Sequence, residues 1–544
     1  MKRAAVTPSE SADRPAAPAE GPRPPREAFG ELAETLAADA NNIERYERAA
    51  DASQLVARRW PVARKVVLTG LCLALLLGLP YLHPRLARLR VVWPDAAADG
   101  QAGPEPQAPM PSASVGEGHL PGKTEDGQAR ARELEAAPRD NRGPIARAPE
   151  RDPALGGAAA SKAPPRPIDD PSGHALDKFF AKLEQVERKQ PGAVARIVYY
   201  GDSIVASDFI TGKVRRMLQD RFGDAGHGYS LIANAWPGWF HIDVARSASE
   251  EWAVSTCVGP YAEDGIYGLG CASFQGHHAG IWAKFATADL DAWGRSVSRF
   301  ELEYLGQPDG GAVDLLIDGQ PRERLETAAP QKELRWHTLS VPDGPHGLEL
   351  RVVDDRPVRL FGVRMERDVP GVTLSALGIT GARARFLDKQ DDAQWARALG
   401  AAKPDLVVLA FGSNEITDGT KYPIEDYQQT LTAVMHQIRA AVPDASLMLV
   451  GPPDMASAKP DQGHSRPHAY IITMKQKDIA ATEGWAFWDQ YHAMGGGGSM
   501  WSWIQAGLGS QDMFHPTGQG GNVLGRFEAQ ALLQAYEAFE ARPR

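Results

Sequence analysis

Short runs of unbroken apolar residues, set between helix-like stretches, constrain this chain more than any other feature. Ile197-Val198-Tyr199-Tyr200, Asp405–Phe411 and Ser446–Val450 carry almost no polar position. A strand that is apolar along its whole length has to be covered on both faces. The segments around these runs have helical spacing. One face holds Leu176, Phe179, Phe180, Leu183 and Val186; another, within 205–222, holds Phe209, Ile210, Val214, Met217 and Leu218. Asp391–Leu399, Ile424–Ala441, Tyr470–Glu483 and Gly518 to about Phe539 read as further helices. Leu374–Ile379 and Trp485–Trp488 read as strands. Alternating strands and helices with buried strands predict an α/β fold with a doubly wound parallel sheet.

The alternation is interrupted once. From Trp239 to Met365 the period drops to two, as in Arg299–Tyr304, Val313–Ile317 and Leu348–Val353, with Asp318-Gly319 and Asp343-Gly344 as hairpin-type turns. This predicts an all-β insertion, a small sandwich over 239–370, dividing the α/β domain into 173–238 and 371–544.

The first third of the chain is different material. Much of the excess among 42 prolines and 54 glycines precedes residue 172. Residues 1–25 show no periodicity, while Phe29–Arg59 has helical spacing; together 1–65 read as a cytoplasmic segment, part disordered and part helical. Val66–Leu82 is a 17-residue apolar run without a charge, the short end of what spans a bilayer. Four basic residues before it and three after barely favour an inside N-terminus. The stretch 83–172, rich in Ala, Pro and Gly, reads as a flexible tether. A net charge of -10 with no basic block gives no reason to expect a nucleic-acid partner. Of three cysteines, Cys257 and Cys271 lie close together. A disulfide between them in an oxidising compartment and two unpaired buried thiols are both open readings.

The chemistry concentrates at strand ends, where ligands of such sheets bind. Gly201-Asp202-Ser203 ends the first strand, and Gly378–Ala382 the next. Phe411–Glu415 ends the third, and Asp512-Met513-Phe514-His515 precedes the last helix. Ser203, at a turn leading into a helix, is a candidate nucleophile. His515 is its candidate base, oriented by Asp512 three residues earlier. The Ser203 N–H, the Gly381 N–H and the Asn414 amide are candidate oxyanion donors.

These four blocks, in this order, resemble the SGNH or GDSL-type hydrolase superfamily over roughly Leu176 to Phe539, with Ile204 where the name has leucine. The resemblance implies a flavodoxin-like three-layer fold and the roles just given. A β-sandwich resembling a carbohydrate-binding module, lying between the serine and glycine blocks, and the loop Gly495–Trp501 with Trp503 resemble peptidoglycan O-acetylesterases of Gram-negative bacteria. That narrower resemblance implies removal of acetyl groups from a cell-wall or envelope glycan. It also implies a single-pass anchor in the bacterial inner membrane with a periplasmic catalytic head.

Each residue also has a plainer reading. Ser203 alone is a helix cap, Asn414 a loop cap, and Asp-x-x-His a frequent accident. Asp202 reads as structural, Glu415 as a loop cap, and Asp208 and His227 as surface or packing residues. His277-His278 reads as a polar loop, so no metal and no cofactor are expected. Trp236, Trp501 and Trp503 are expected either to stack on sugar rings or to pack in the core. Protein partners are not indicated. Two further functions fit the same residues: a glycan O-acetyltransferase with this triad, and a catalytically silent glycan-binding surface protein.

Overall fold

The computed structural model describes residues 166–543 except 237, 238, 240, 289–291 and 458–464. The expected cytoplasmic segment 1–65, the apolar run Val66–Leu82 and the tether up to residue 165 lie outside the described residues. Among the described residues no helix is long and apolar enough to cross a membrane. The end of the expected tether is structured, since Asp169 exchanges two backbone hydrogen bonds with Phe487 (2.8 and 2.9 Å).

Helix α1 (Asp177–Glu187) leads to β1 (Val194–Gly201), a four-residue turn of helix α2 (Ser203–Ala206) and α3 (Phe209–Phe222). The β-rich part contains β2 (Gly228–Leu231), β3 (Val244–Ala248), β4 (Ala253–Thr256), β5 (Ala272–Gly276), β6 (Trp282–Thr287) and β7 (Val297–Gly306). It continues with β8 (Ala312–Ile317), β9 (Gln320–Glu326), β10 (Glu333–Gly344), β11 (Gly347–Val352) and β12 (Val358–Glu366). The α/β pattern resumes with β13 (Gly371–Gly378), α4 (Asp392–Ala402), β14 (Leu406–Ala410), α5 (Ser413–Asp418), α6 (Ile424–Ala441) and β15 (Ser446–Val450). It ends with α7 (Pro467–Glu483), β16 (Ala486–Trp488), α8 (Gln490–Ala493), α9 (Ser499–Gln505) and α10 (Gly518–Glu540).

The α/β part is built on a parallel sheet of order β13-β1-β14-β15-β16. Numbered by their order within that domain, the strands run 2-1-3-4-5, the flavodoxin-like arrangement, with its switch point between β1 and β14. Side chains of β1 alternate between two cores. Ile197 and Tyr199 join α1, α3 and α10; Val198 and Tyr200 join α4, α6 and α7. Leu406 and Val408 of β14 face the first core, Val407 and Leu409 the second. Apolar residues on both faces of each strand therefore produce three layers.

Register decides where the loops emerge. Gly201 stands beside Gly378 on one side and Ala410 on the other, so three strands end level. Both glycines let α2 settle on the strand ends. A Cβ on Gly378 would lie 2.1 Å from the Ala206 nitrogen, and one on Gly201 2.3 Å from Val205 Cγ2. The single helix expected over 205–222 is broken at Asp208, which adopts φ 56° and turns its buried carboxylate onto Thr211, Arg215 and the Ile242 N–H.

The β-rich part forms two antiparallel sheets, β10-β7-β12-β5-β4 with β2 on β12, and β3-β6-β11-β8-β9. The strand β2 lies upstream of residue 239 yet pairs with β12, so the β architecture reaches into the stretch 173–238 assigned to the first part of the α/β domain. Cys257 and Cys271 are joined by a disulfide with Cα atoms 5.4 Å apart. The loop that it closes is fastened to the α/β part. The Tyr200 hydroxyl donates to the Leu269 carbonyl at 2.9 Å, and the Asp391 N–H to the Gly265 carbonyl at 2.9 Å. Both parts share one hydrophobic core.

Candidate active site

Ser203 is the first residue of α2, capped by Asp202, whose Oδ1 accepts the Ile204 N–H at 3.0 Å. With only four residues, α2 brings far less helix dipole to Ser203 than a continuous helix would. His515 comes from the loop before α10, and its Nε2 lies 2.8 Å from Ser203 Oγ. Its Nδ1 lies 2.7 Å from Asp512 Oδ2, while Asp512 Oδ1 accepts the N–H groups of Phe514 (2.9 Å) and His515 (3.0 Å). With the Nδ1 proton directed at a carboxylate, Nε2 is left as an acceptor for the serine hydroxyl. Burial presses the Asp512 carboxyl upward. Hydrogen bonds from the His515 backbone and ring and from the Phe514 N–H outweigh it and hold the group below its ordinary value. The Phe514 ring sits 4.4 Å from the imidazole and limits its swing.

Gly381 has φ +81°, a conformation that side chains resist, with nothing within 4 Å of where a Cβ would stand. The Asn414 side-chain amide donates to the Ala382 carbonyl at 2.8 Å and keeps a second N–H. Glu415 is more than a loop cap, because its buried carboxyl accepts the Ala384 N–H at 2.7 Å. Arg383 and Asp418 form a two-pronged ion pair at 2.6 and 2.7 Å across the same gap. Three contacts thus brace the glycine loop against the asparagine loop, and spacing in the sequence does not announce any of them. Burial pushes Glu415 up to about 7 and Asp202 up to about 6.

The expected sugar platforms divide. Trp503 is fully buried and donates its indole N–H to the Met494 carbonyl at 3.0 Å. Trp236 is 9% exposed and packs in the core shared with the β-rich part. Neither ring offers a face to a glycan, so both are corrected to packing residues. Their large apolar area is spent on the core. Trp501 is half-buried at the core's edge. His277 and His278 are exposed. Among the described residues no group of three or more His, Cys, Asp or Glu is gathered for a metal ion.

Residues 344–522 match the model of the GDSL-like lipase/acylhydrolase family. That stretch is a GDSL-like acylhydrolase domain, and the protein is an esterase. The matched stretch carries Gly381, Asn414, Asp512 and His515 but not Ser203, because the insertion moves β1 and its serine far upstream of the rest. A solved peptidoglycan O-acetylesterase has the same fold, with 24% identity and a TM-score of 0.58 over 68% of this chain and 99% of that one. An acetylxylan esterase from Geobacillus stearothermophilus follows at 20% identity, covering 31% of this hydrolase and 73% of its own chain, with a TM-score of 0.23. A family two carbohydrate esterase from Cellvibrio japonicus has 13% identity over 54% and 98% of the two chains and a TM-score of 0.22. The last two scores are too low to carry an argument. No curated protein matches the sequence.

Proposed function

We propose that this hydrolase removes O-acetyl groups from peptidoglycan or another envelope glycan through an acyl-enzyme on Ser203. His515 Nε2 takes the hydroxyl proton as Ser203 Oγ attacks the acetyl carbonyl. Asp512 orients the ring and balances the imidazolium. The N–H groups of Ser203 and Gly381 and the Asn414 amide receive the oxyanion. The imidazolium then protonates the departing sugar hydroxyl. Water, deprotonated by the same imidazole, releases acetate and restores the serine.

The observation that carries this reading is the 2.8 Å contact between Ser203 Oγ and His515 Nε2. The glycan assignment is supported by the fold shared with a peptidoglycan O-acetylesterase along nearly all of that protein's length. Anchoring through Val66–Leu82, with the head in the periplasm, completes the proposal. It rests on the apolar run, the tether-like stretch behind it and the location of the substrate. The test is acetate release from O-acetylated peptidoglycan. Ser203→Ala is expected to lower it by at least about 10³-fold, and equal release by both proteins would reject the reading.

A further inference from the structure

Asp454 follows β15, in the loop that leaves the fourth strand of the sheet, and its side chain is wholly buried. Among the described residues no arginine, lysine or histidine forms an ion pair with it. Its oxygens meet neutral donors instead. Oδ1 accepts the Ser465 hydroxyl; Oδ2 accepts the Met500 N–H at 3.0 Å and the Ser499 hydroxyl at 3.5 Å. Burial pushes the group up to about 7. A buried acid with no cation is a poor choice for stability alone. A carboxyl group does, however, offer two acceptor oxygens in a small volume, which no neutral side chain of that size matches.

The elements joined at Asp454 are those that hold the histidine loop. Two residues on, the Ala456 N–H donates to the Met513 carbonyl at 3.0 Å, inside the Asp512–His515 turn. Met513 itself has φ 66° and depends on such outside support. On the other side, Met500 and Ser499 open α9. The Trp503 carbonyl of that helix accepts the N–H groups of Leu508 (2.8 Å) and Gly509 (3.0 Å). Ser510 then donates its N–H to the His515 carbonyl at 2.8 Å, and Gly509 bridges Pro516. Both flanks of the turn therefore lead back to one carboxyl group.

We propose that Asp454 is a positioning residue of this active site: it clamps its own loop to the first turn of α9, and the two together hold the Asp512–His515 turn in register with Ser203. The inference rests on the reading of Ser203 and His515 as nucleophile and base. The test uses the full-length chain carrying Asp454→Asn, Ser465→Ala or Ser203→Ala. For each variant, kcat and KM on an aryl acetate are measured with the rate of inactivation by an organophosphonate, which needs the Ser–His contact but no glycan.

Asp454→Asn turns one acceptor into a donor facing N–H and O–H groups. It is expected to lower kcat and the inactivation rate in parallel by about 10- to 100-fold, as a displacement near 1 Å does. KM should stay within about twofold, because the substrate does not touch this residue. The downfield proton resonance of the His515–Asp512 hydrogen bond should shift or broaden, with far-UV circular dichroism unchanged. Ser465→Ala should give a smaller loss of the same pattern. A folded Asp454→Asn protein with wild-type kcat and inactivation rate overturns the proposal. If that variant does not fold, Ser465→Ala with wild-type values does so. An inactive Ser203→Ala beside undisturbed Asp454 and Ser465 variants removes only this inference, whereas an active Ser203→Ala removes the reading of the site and this inference with it.

Discussion

Two turns of this molecule have the same spacing and the same pair of aspartate–histidine hydrogen bonds, and only one meets a serine. In Asp512–His515 the carboxylate accepts the histidine N–H at 3.0 Å and faces Nδ1 at 2.7 Å. In Asp489–His492 the corresponding distances are 3.0 and 2.6 Å. Asp489 ends β16 as a cap of α8 and is buried, whereas Asp512 is half exposed at the crevice. In both, burial pushes the acid up and hydrogen bonds to its histidine pull it below its ordinary value. The pair itself is therefore a local product of Asp-x-x-His. What separates them is the surroundings of Nε2. His515 reaches Ser203 Oγ, while the His492 ring lies against Tyr470 and Tyr491, and among the described residues no hydroxyl is hydrogen-bonded to its Nε2. An oriented imidazole becomes a base only where the fold delivers a proton donor to it.

The sharpest way to break this comparison is to delete each ring. His515→Ala is expected to lower kcat by about 10³-fold or more. His492→Ala should leave kcat within about threefold; losses of equal size, measured on an aryl acetate, would erase the distinction. Next come the proposed oxyanion donors. Asn414→Ala should reduce kcat by about 10²- to 10³-fold with a smaller change in KM, and an unchanged kcat would remove Asn414 from the site. The smallest effect separates stability from chemistry. Asp489→Asn should cost about 1–3 kcal/mol at pH 7, read from denaturant unfolding, with kcat unaffected. Because folding lowers the Asp489 pKa, the carboxylate's contribution is present above its ordinary value of 3.8 and fades as pH falls through the folded value. The gap between variant and wild type should therefore close in acid.

The α/β frame is legible wherever the pattern and the burial agree. Ser446–Val450 and Ile424–Ala441 are read from sequence with the bounds they have in the fold, because an all-apolar strand and an amphipathic helix each permit one solution. The break at Asp208 is not legible, because its cause is a hydrogen bond to Ile242, far along the chain. The same holds for Glu415 and Arg383, and for the contacts of Asp454 with Ser499 and Met500, whose partners lie on segments distant in the chain. Trp503 shows the converse limit: an aromatic residue near an active-site loop looks like a sugar platform until burial is known. The insertion's edge shifts for a related reason, since β2 is claimed by β12, a strand more than a hundred residues later.

The position of β1 has a consequence for how the chain is made. It lies inside the sheet, yet both of its neighbours, β13 and β14, are encoded after the entire β-rich part. About 170 residues separate the end of β1 from the start of β13. At roughly 5–20 residues per second a ribosome takes on the order of ten to thirty seconds to cross them. Throughout that interval a greasy strand waits on the nascent chain without its hydrogen-bonding mates, as an inviting target for holdase chaperones.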